Sequence, residues 1–197
     1  MRRISVLAFA AVLTTVACSG SDSSPAGPSD PSAGGGAGTL NLRITDSPYG
    51  SAKAVLVTFS EVAAQRNGDW TRLPFPGGGS TRTCDLKKLQ NSAQDLLGSA
   101  SATPGTYTMV RLNVQSAKIF FDNSAVSATP CAPSIAEPAG ASSVLALSSG
   151  EVRVDGSFNL TSTAPLTVLV DFDGEASITQ NGSAYTMTPQ VRLRSVQ

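Results

Sequence analysis

Three groups of residues in this chain have types and spacing that could do chemistry. The first is Cys18, which closes the run Thr15-Val16-Ala17-Cys18 behind an apolar stretch. A thiol at a newly cut N-terminus is the group that carries a diacylglyceryl thioether, so Cys18 is the expected lipidation site. The second is acidic. Asp46 opens Asp46-Ser47-Pro48, and Asp171 and Asp173 flank Phe172 in Asp171-Phe172-Asp173-Gly174-Glu175. Two residues apart on an extended strand, Asp171 and Asp173 share a face. Clustered carboxylates beside a turn glycine suit a hard, oxygen-seeking cation such as calcium. Asp46, Asp171 and Asp173 are therefore the candidate metal ligands, provided the two strand ends meet. The competing assignment is that these acids cap turns by accepting backbone N–H bonds. The third group is Cys84 and Cys131, the two thiols left once Cys18 is acylated. An even pair in an oxidising compartment reads as a disulfide; the alternative is two unpaired thiols, since both fall in segments that read as loops.

Other chemistry is scarce. The chain has no histidine, which removes the usual general base near neutral pH and the commonest transition-metal ligand. A Ser-His-Asp triad is thereby excluded. Ser51-Ala52-Lys53 and Ser116-Ala117-Lys118 lack the S-x-x-K spacing, and read as surface pairs. The expectation is a protein without catalytic residues and without a cofactor beyond the calcium just named. Trp70, Tyr49, Tyr107 and Tyr185 would make a sugar-stacking platform if the fold gathered them; the other reading puts such rings in half-buried sandwich positions.

The N-terminus supplies an address. Arg2 and Arg3 precede the apolar run Ile4–Val16, the layout of a secretory signal. Roughly thirteen apolar residues fall short of the about 20 that span a bilayer. With Cys18 at the cut, residues 1–17 are expected to be a lipoprotein signal peptide. Residues 18–38 are the lipidated cysteine followed only by Ser, Gly, Pro, Ala and Asp, a composition that cannot offset its own ordering entropy and reads as a disordered tether. Ser19 is not the Asp that holds lipoproteins at an inner membrane, so an outer membrane is favoured where a cell has two. Cleavage removes Arg2 and Arg3 and no acid, leaving 12 of the 14 basic residues against 14 acidic, a net charge of −2. That balance gives no reason to expect nucleic acid as a partner.

Residues 39–197 are long enough for one domain with a proper core, and they read as strands. Leu40, Leu42 and Ile44 alternate with polar residues, the period of a half-buried strand. Further strands are predicted at Ala54–Ala64, Trp70–Leu73, Tyr107–Phe121, Ser143–Leu147, Val152–Leu160, Leu166–Phe172, Ala176–Gln180 and Tyr185–Arg194. Asn67-Gly68 and Asn181-Gly182 mark tight hairpins. The only helical stretch predicted is Asp85–Leu97, and residues 122–142 read as loop. Short strands at this spacing with one short helix predict an all-β fold, a single antiparallel β-sandwich of immunoglobulin-like or transthyretin-like kind. A partly closed barrel is the alternative.

These pieces, taken in order, resemble a known family. Gly38-Thr39-Leu40 leading to Thr45-Asp46-Ser47-Pro48 is similar to the opening of the bacterial lipoproteins that carry domain of unknown function 4382. In register follow Trp70, Asp85-Leu86 with Leu89 and Asn91, Pro104-Gly105-Thr106-Tyr107 with Arg111-Leu112, and Asp171-Phe172-Asp173 with Ser177. Tyr185, Pro189 and Val191 close the match, which spans nearly all of 38–194. Lys87, Ser92 and Thr188 depart from the pattern, Thr188 where a basic residue is usual. The resemblance implies an extracytoplasmic β-rich domain and no particular activity. The expected function is a non-catalytic binding or adhesion module of the cell envelope, lipid-anchored, with an envelope glycan or protein as partner. A structural lipoprotein that docks a protein is the alternative, and a glycosidase built on carboxylates alone comes last.

Overall fold

The structure is a computed structural model and describes residues 36–197. Cys18, the signal-like residues 1–17 and most of the spacer lie outside the described residues. The alternation around Leu40 does form a strand, β1 (Gly38–Asp46), whose Leu40, Leu42 and Ile44 are buried. It takes in Gly38, one residue before the expected start of the domain. A Cβ there would lie 2.2 Å from Thr161 O, so only glycine fits this close approach.

The second strand, β2 (Ala54–Arg66), is buried on both faces. Val55, Val57 and Phe59 enter the main core, while Ala54 and Leu56 pack with Phe120, Ala125 and Ile135 in a small cluster behind it. β2 turns at Asn67-Gly68, where both residues have positive φ, into β3 (Asp69–Arg72). Next come β4 (Arg82–Asp85), β5 (Asp95–Ala102), β6 (Gly105–Phe120), β7 (Cys131–Ala132), β8 (Ser142–Leu147), β9 (Glu151–Leu160) and β10 (Leu166–Phe172). A single helical turn, α1 (Gly174–Ser177), leads to β11 (Ile178–Asn181), β12 (Ala184–Met187) and β13 (Val191–Val196).

Two open sheets result. One has the order β13-β10-β1-β5; the other runs β11-β12-β8-β6-β2-β4-β7, with β3 on β2 and β9 on β6. Side chains of the two sheets share one core, as where Phe59 of β2 meets Phe172 of β10 edge to face at 6.2 Å. The architecture is all-β and sandwich-like as expected, with one difference in sense. β1 runs parallel to β10, and β12 parallel to β8. The sheets are mixed, and pairing direction between distant segments leaves no mark in local periodicity.

Three local expectations are corrected. Asp85–Leu97 is not a helix. One 3-10 turn, Leu86–Lys88, buries Leu86 and Leu89, and Asn91 and Ser92 then take φ of 57° and 69°. That left-handed pair cannot continue a right-handed helix, so the chain re-enters as β5. The segment Tyr185–Arg194 is two strands in two different sheets, divided at Thr188-Pro189-Gln190, because Pro189 has no N–H for a ladder. At the second hairpin Asn181 pairs with Ala184, so Gly182 and Ser183 make the turn.

Candidate functional site

Parallel pairing of β1 with β10 brings together the two acidic motifs that the sequence keeps far apart. Asp46 stands opposite Phe172, and Thr45 opposite Asp171. Past the strand ends the two segments are zipped. Asp46 Oδ1 accepts from Gly174 N at 2.9 Å, Ser47 O accepts from Glu175 N at 3.0 Å, and Glu175 Oε2 accepts from Gly50 N at 2.8 Å. A Cβ on Gly174 would stand 3.1 Å from Asp46 Oδ1, so the glycine lets the two chains close. Asp173 Oδ1 accepts from Ala176 N at 2.9 Å and so caps α1.

The electrostatics follow from this geometry. Asp46 is buried, and burial is the main reason its carboxyl is pushed up to about 8. The bond from Gly174 N and the nearby Lys87 oppose the shift; Asp171 and Asp173 add to it. Asp171 has no exposure, and Arg192 Nη2 and Arg194 Nη1 reach it at 2.7 and 3.2 Å. Asp171 in turn raises the affinity of the exposed Arg192 guanidinium for its proton, first by hydrogen bonding and then by charge.

Asp46, Asp171 and Asp173 are thus neighbours, as the sequence suggested, but they do not form a metal centre. Because Asp171 shares its face with Thr45 and Asp46 shares its face with Phe172, consecutive register positions send the two side chains to opposite faces. Asp46 Oδ1 and Asp173 Oδ1 accept from backbone N–H groups and Asp171 Oδ2 from the two arginines, while Asp46 Oδ2 and Asp171 Oδ1 are buried without a partner in the described chain. Among the described residues no group of three or more His, Cys, Asp or Glu side chains is disposed to hold a metal ion. The acids act as a latch between two strand ends. Arg192 and Arg194, two apart and therefore on one face of β13, escaped the sequence reading; the signal was an Arg-x-Arg strand near the Asp-x-Asp strand it joins.

The four rings are not gathered. Tyr107 is fully buried and stacks on Phe158 at 5.7 Å, its hydroxyl donating to Thr103 O. Tyr185 packs on Phe121 at 5.4 Å, Tyr49 rests against the core, and Trp70 carries the Arg111 guanidinium 4.4 Å above its ring. The expected disulfide is present. β4 and β7 place Cys84 opposite Cys131, and the two are bonded. Beside the bridge, Asp95 Oδ2 accepts from Cys131 N at 2.9 Å, while Arg82 Nη2 donates to Cys131 O at 3.1 Å. No helix among the described residues is long and apolar enough to cross a membrane.

No curated protein and no solved structure matches the chain significantly. The model of a domain of unknown function, DUF4382, matches residues 37–189, from the residue before β1 to the residue after Thr188. That stretch holds the latch, the disulfide and most of the core, and the chain belongs to the DUF4382 family.

Proposed function

We propose that this protein is a lipid-anchored, extracytoplasmic binding or adhesion module of a bacterial cell envelope, with no catalysis of its own. The observation that carries the reading is the Cys84–Cys131 disulfide in a chain that opens with Arg2-Arg3, an apolar run and Thr15-Val16-Ala17-Cys18. A stable disulfide belongs to an oxidising compartment, and such a leader is the route to one. Lipid on Cys18 followed by a Ser/Gly/Pro spacer would hold the β-domain off the bilayer, a reach of roughly 25 Å on average for about twenty flexible residues. The latch supports the non-catalytic half of the proposal. One oxygen of each carboxylate is held by a backbone N–H or by arginines, and the free oxygens of Asp46 and Asp171 are buried, which leaves them poorly placed as general acid and base.

The test is fractionation. The parent chain is expected with membranes, at the outer membrane where there are two, and Cys18→Ser in the soluble fraction or unprocessed. A Cys18→Ser protein that fractionates as the parent does would sink the anchor. The docking alternative is favoured by one surface. Val144, 69% exposed, lines a groove together with Leu56 and Ile135. On that reading Val144→Glu would abolish a protein partner that cross-links to the parent.

A further inference from the structure

The end of the domain where β2 begins, β4 ends and the loop after β6 passes carries an open pocket of about 410 Å³. Its walls concentrate positive charge. Lys87 and Lys88 leave the 3-10 turn as neighbours, which such a turn directs apart by about 120°, yet both line this pocket together with Lys53. Two main-chain carbonyls draw them there. Lys87 Nζ donates to Tyr49 O at 3.0 Å, and Lys88 Nζ donates to Ser127 O at 2.6 Å. Each ammonium has three donors, so both keep donors free for another partner.

The one acid in the lining, Asp85, faces three lysines and feels the charge of Lys88 and Lys87 from its buried position, so positive charge is in excess. Among the described residues, none of the ion pairs involves Lys53, Lys87 or Lys88. Asp85, at the base of the pocket and 1% exposed, spends Oδ1 on Val55 N and Lys87 N, and its Oδ2 has no partner from the described chain. Asp46 influences Lys87 from the latch without reaching it, and Glu175 is committed to Gly50 N. Ordering lysine side chains costs rotamer entropy, and gathering them adds like-charge repulsion. An anion among them relieves the repulsion, and the ammonium is a point-charge partner for phosphate or carboxylate. Gln90 and Ser124, also in the lining, offer amide and hydroxyl groups of the kind that meet sugar hydroxyls.

We propose that this pocket binds an anionic saccharide, its carboxylate or phosphate seated among Lys53, Lys87 and Lys88 and its hydroxyls meeting Gln90 and Ser124. The choice of a saccharide rests on the envelope reading above; the choice of an anion rests on the lysines alone.

The experiment is calorimetric titration of the full-length chain in detergent, at low salt, with trigalacturonate, glucose 1-phosphate, maltotriose and inorganic phosphate. Binding of at least one of the two anionic sugars is expected, and the two together tell carboxylate from phosphate. Affinity should fall with added salt and by about fivefold for each lysine removed. Lys53→Gln is the cleanest variant, because its side chain has no hydrogen-bond partner in the described chain. Lys118→Gln, whose partner is Glu137 outside the pocket, should leave affinity unchanged. Binding of neither anionic sugar, equal binding of maltotriose, binding of inorganic phosphate alone, or affinity indifferent to Lys53→Gln and Lys88→Gln would each overturn the assignment. An anchored chain that binds no anionic sugar refutes the pocket and leaves the anchor standing; an unanchored chain that binds one does the reverse.

Discussion

Asp46 illustrates what a buried carboxyl does to a fold that uses it as a tie. Its ordinary value, 3.8, is raised to about 8 in the folded domain, chiefly by burial. Between those two values the folded state holds a proton that the unfolded chain has released. The unfolded state then binds fewer protons, so stability falls as pH rises through this window. The penalty is absent in acid and complete above about pH 8. Asp46→Asn keeps an oxygen for Gly174 N and carries no charge. Denaturant titrations should find the two proteins alike near pH 4 and Asp46→Asn the more stable in alkali, by on the order of a few kcal/mol. Parallel profiles across that range would mean that Asp46 is solvated after all. The latch was half legible beforehand. Both acidic motifs stood out by composition, whereas their meeting depends on a parallel pairing, and the arginines that join Asp171 come from a strand mistaken for the tail of another.

Among the elements, β5 shows why a strand can hide. Its sequence, Asp-Leu-Leu-Gly-Ser-Ala-Ser-Ala, is poor in the β-branched and aromatic residues that advertise strands. The leucines just before it, Leu86 and Leu89, have the three-residue spacing of a helix. Tertiary context decides. Gly98 is packed so closely that an added Cβ would lie 2.6 Å from Val62 Cγ2 and 2.7 Å from Leu73 O. The carbonyl oxygen belongs to the backbone and cannot swing aside. Gly98→Ala should therefore destabilise the domain by about 1–3 kcal/mol, read as a lowered denaturation midpoint, while Gly36→Ala, with nothing within 4 Å of its Cβ, should not. By contrast β1, β2, β6, β9 and β10 were legible, since each buries one or both faces of an alternating or apolar run. The Asn67-Gly68 hairpin was legible for the same local reason: positive φ at both turn residues needs those types.

At the scale of the whole molecule the disulfide ties the edge of the larger sheet. Cys84 and Cys131 lie 47 residues apart in sequence, and opening a loop of that length releases about 4 kcal/mol of chain entropy to the unfolded state. Cys84→Ala/Cys131→Ala should melt about 10 °C lower and keep its far-ultraviolet sheet signal, because β4 and β7 add only a short edge to a core built elsewhere. A variant that melts with the parent would show that the bridge constrains little. Here prediction from sequence did well, because setting Cys18 aside for lipid leaves two of the three cysteines and a single connectivity. The lysine pocket leaves no mark in the sequence, since Lys53 and the Lys87-Lys88 pair become neighbours only when the start of β2 folds beside the turn after β4.

The pairing of β1 with β10 also dictates an order of events. Among the described residues β1 is the strand nearest the N-terminus, and it lies between β5 and β10 in its sheet. Its parallel neighbour begins at Leu166, close to the far end of the chain. Until that residue is free, Leu40, Leu42 and Ile44 have only one of their two neighbours, and the sheet presents an unfinished apolar face. A fold closed by contacts this remote in sequence forms slowly for its size. A chain threaded from its N-terminus would therefore travel nearly its whole length as an unfolded, aggregation-exposed polymer. Completing the smaller sheet requires the tenth strand to pair beside the first, a contact that only a nearly full-length chain can make.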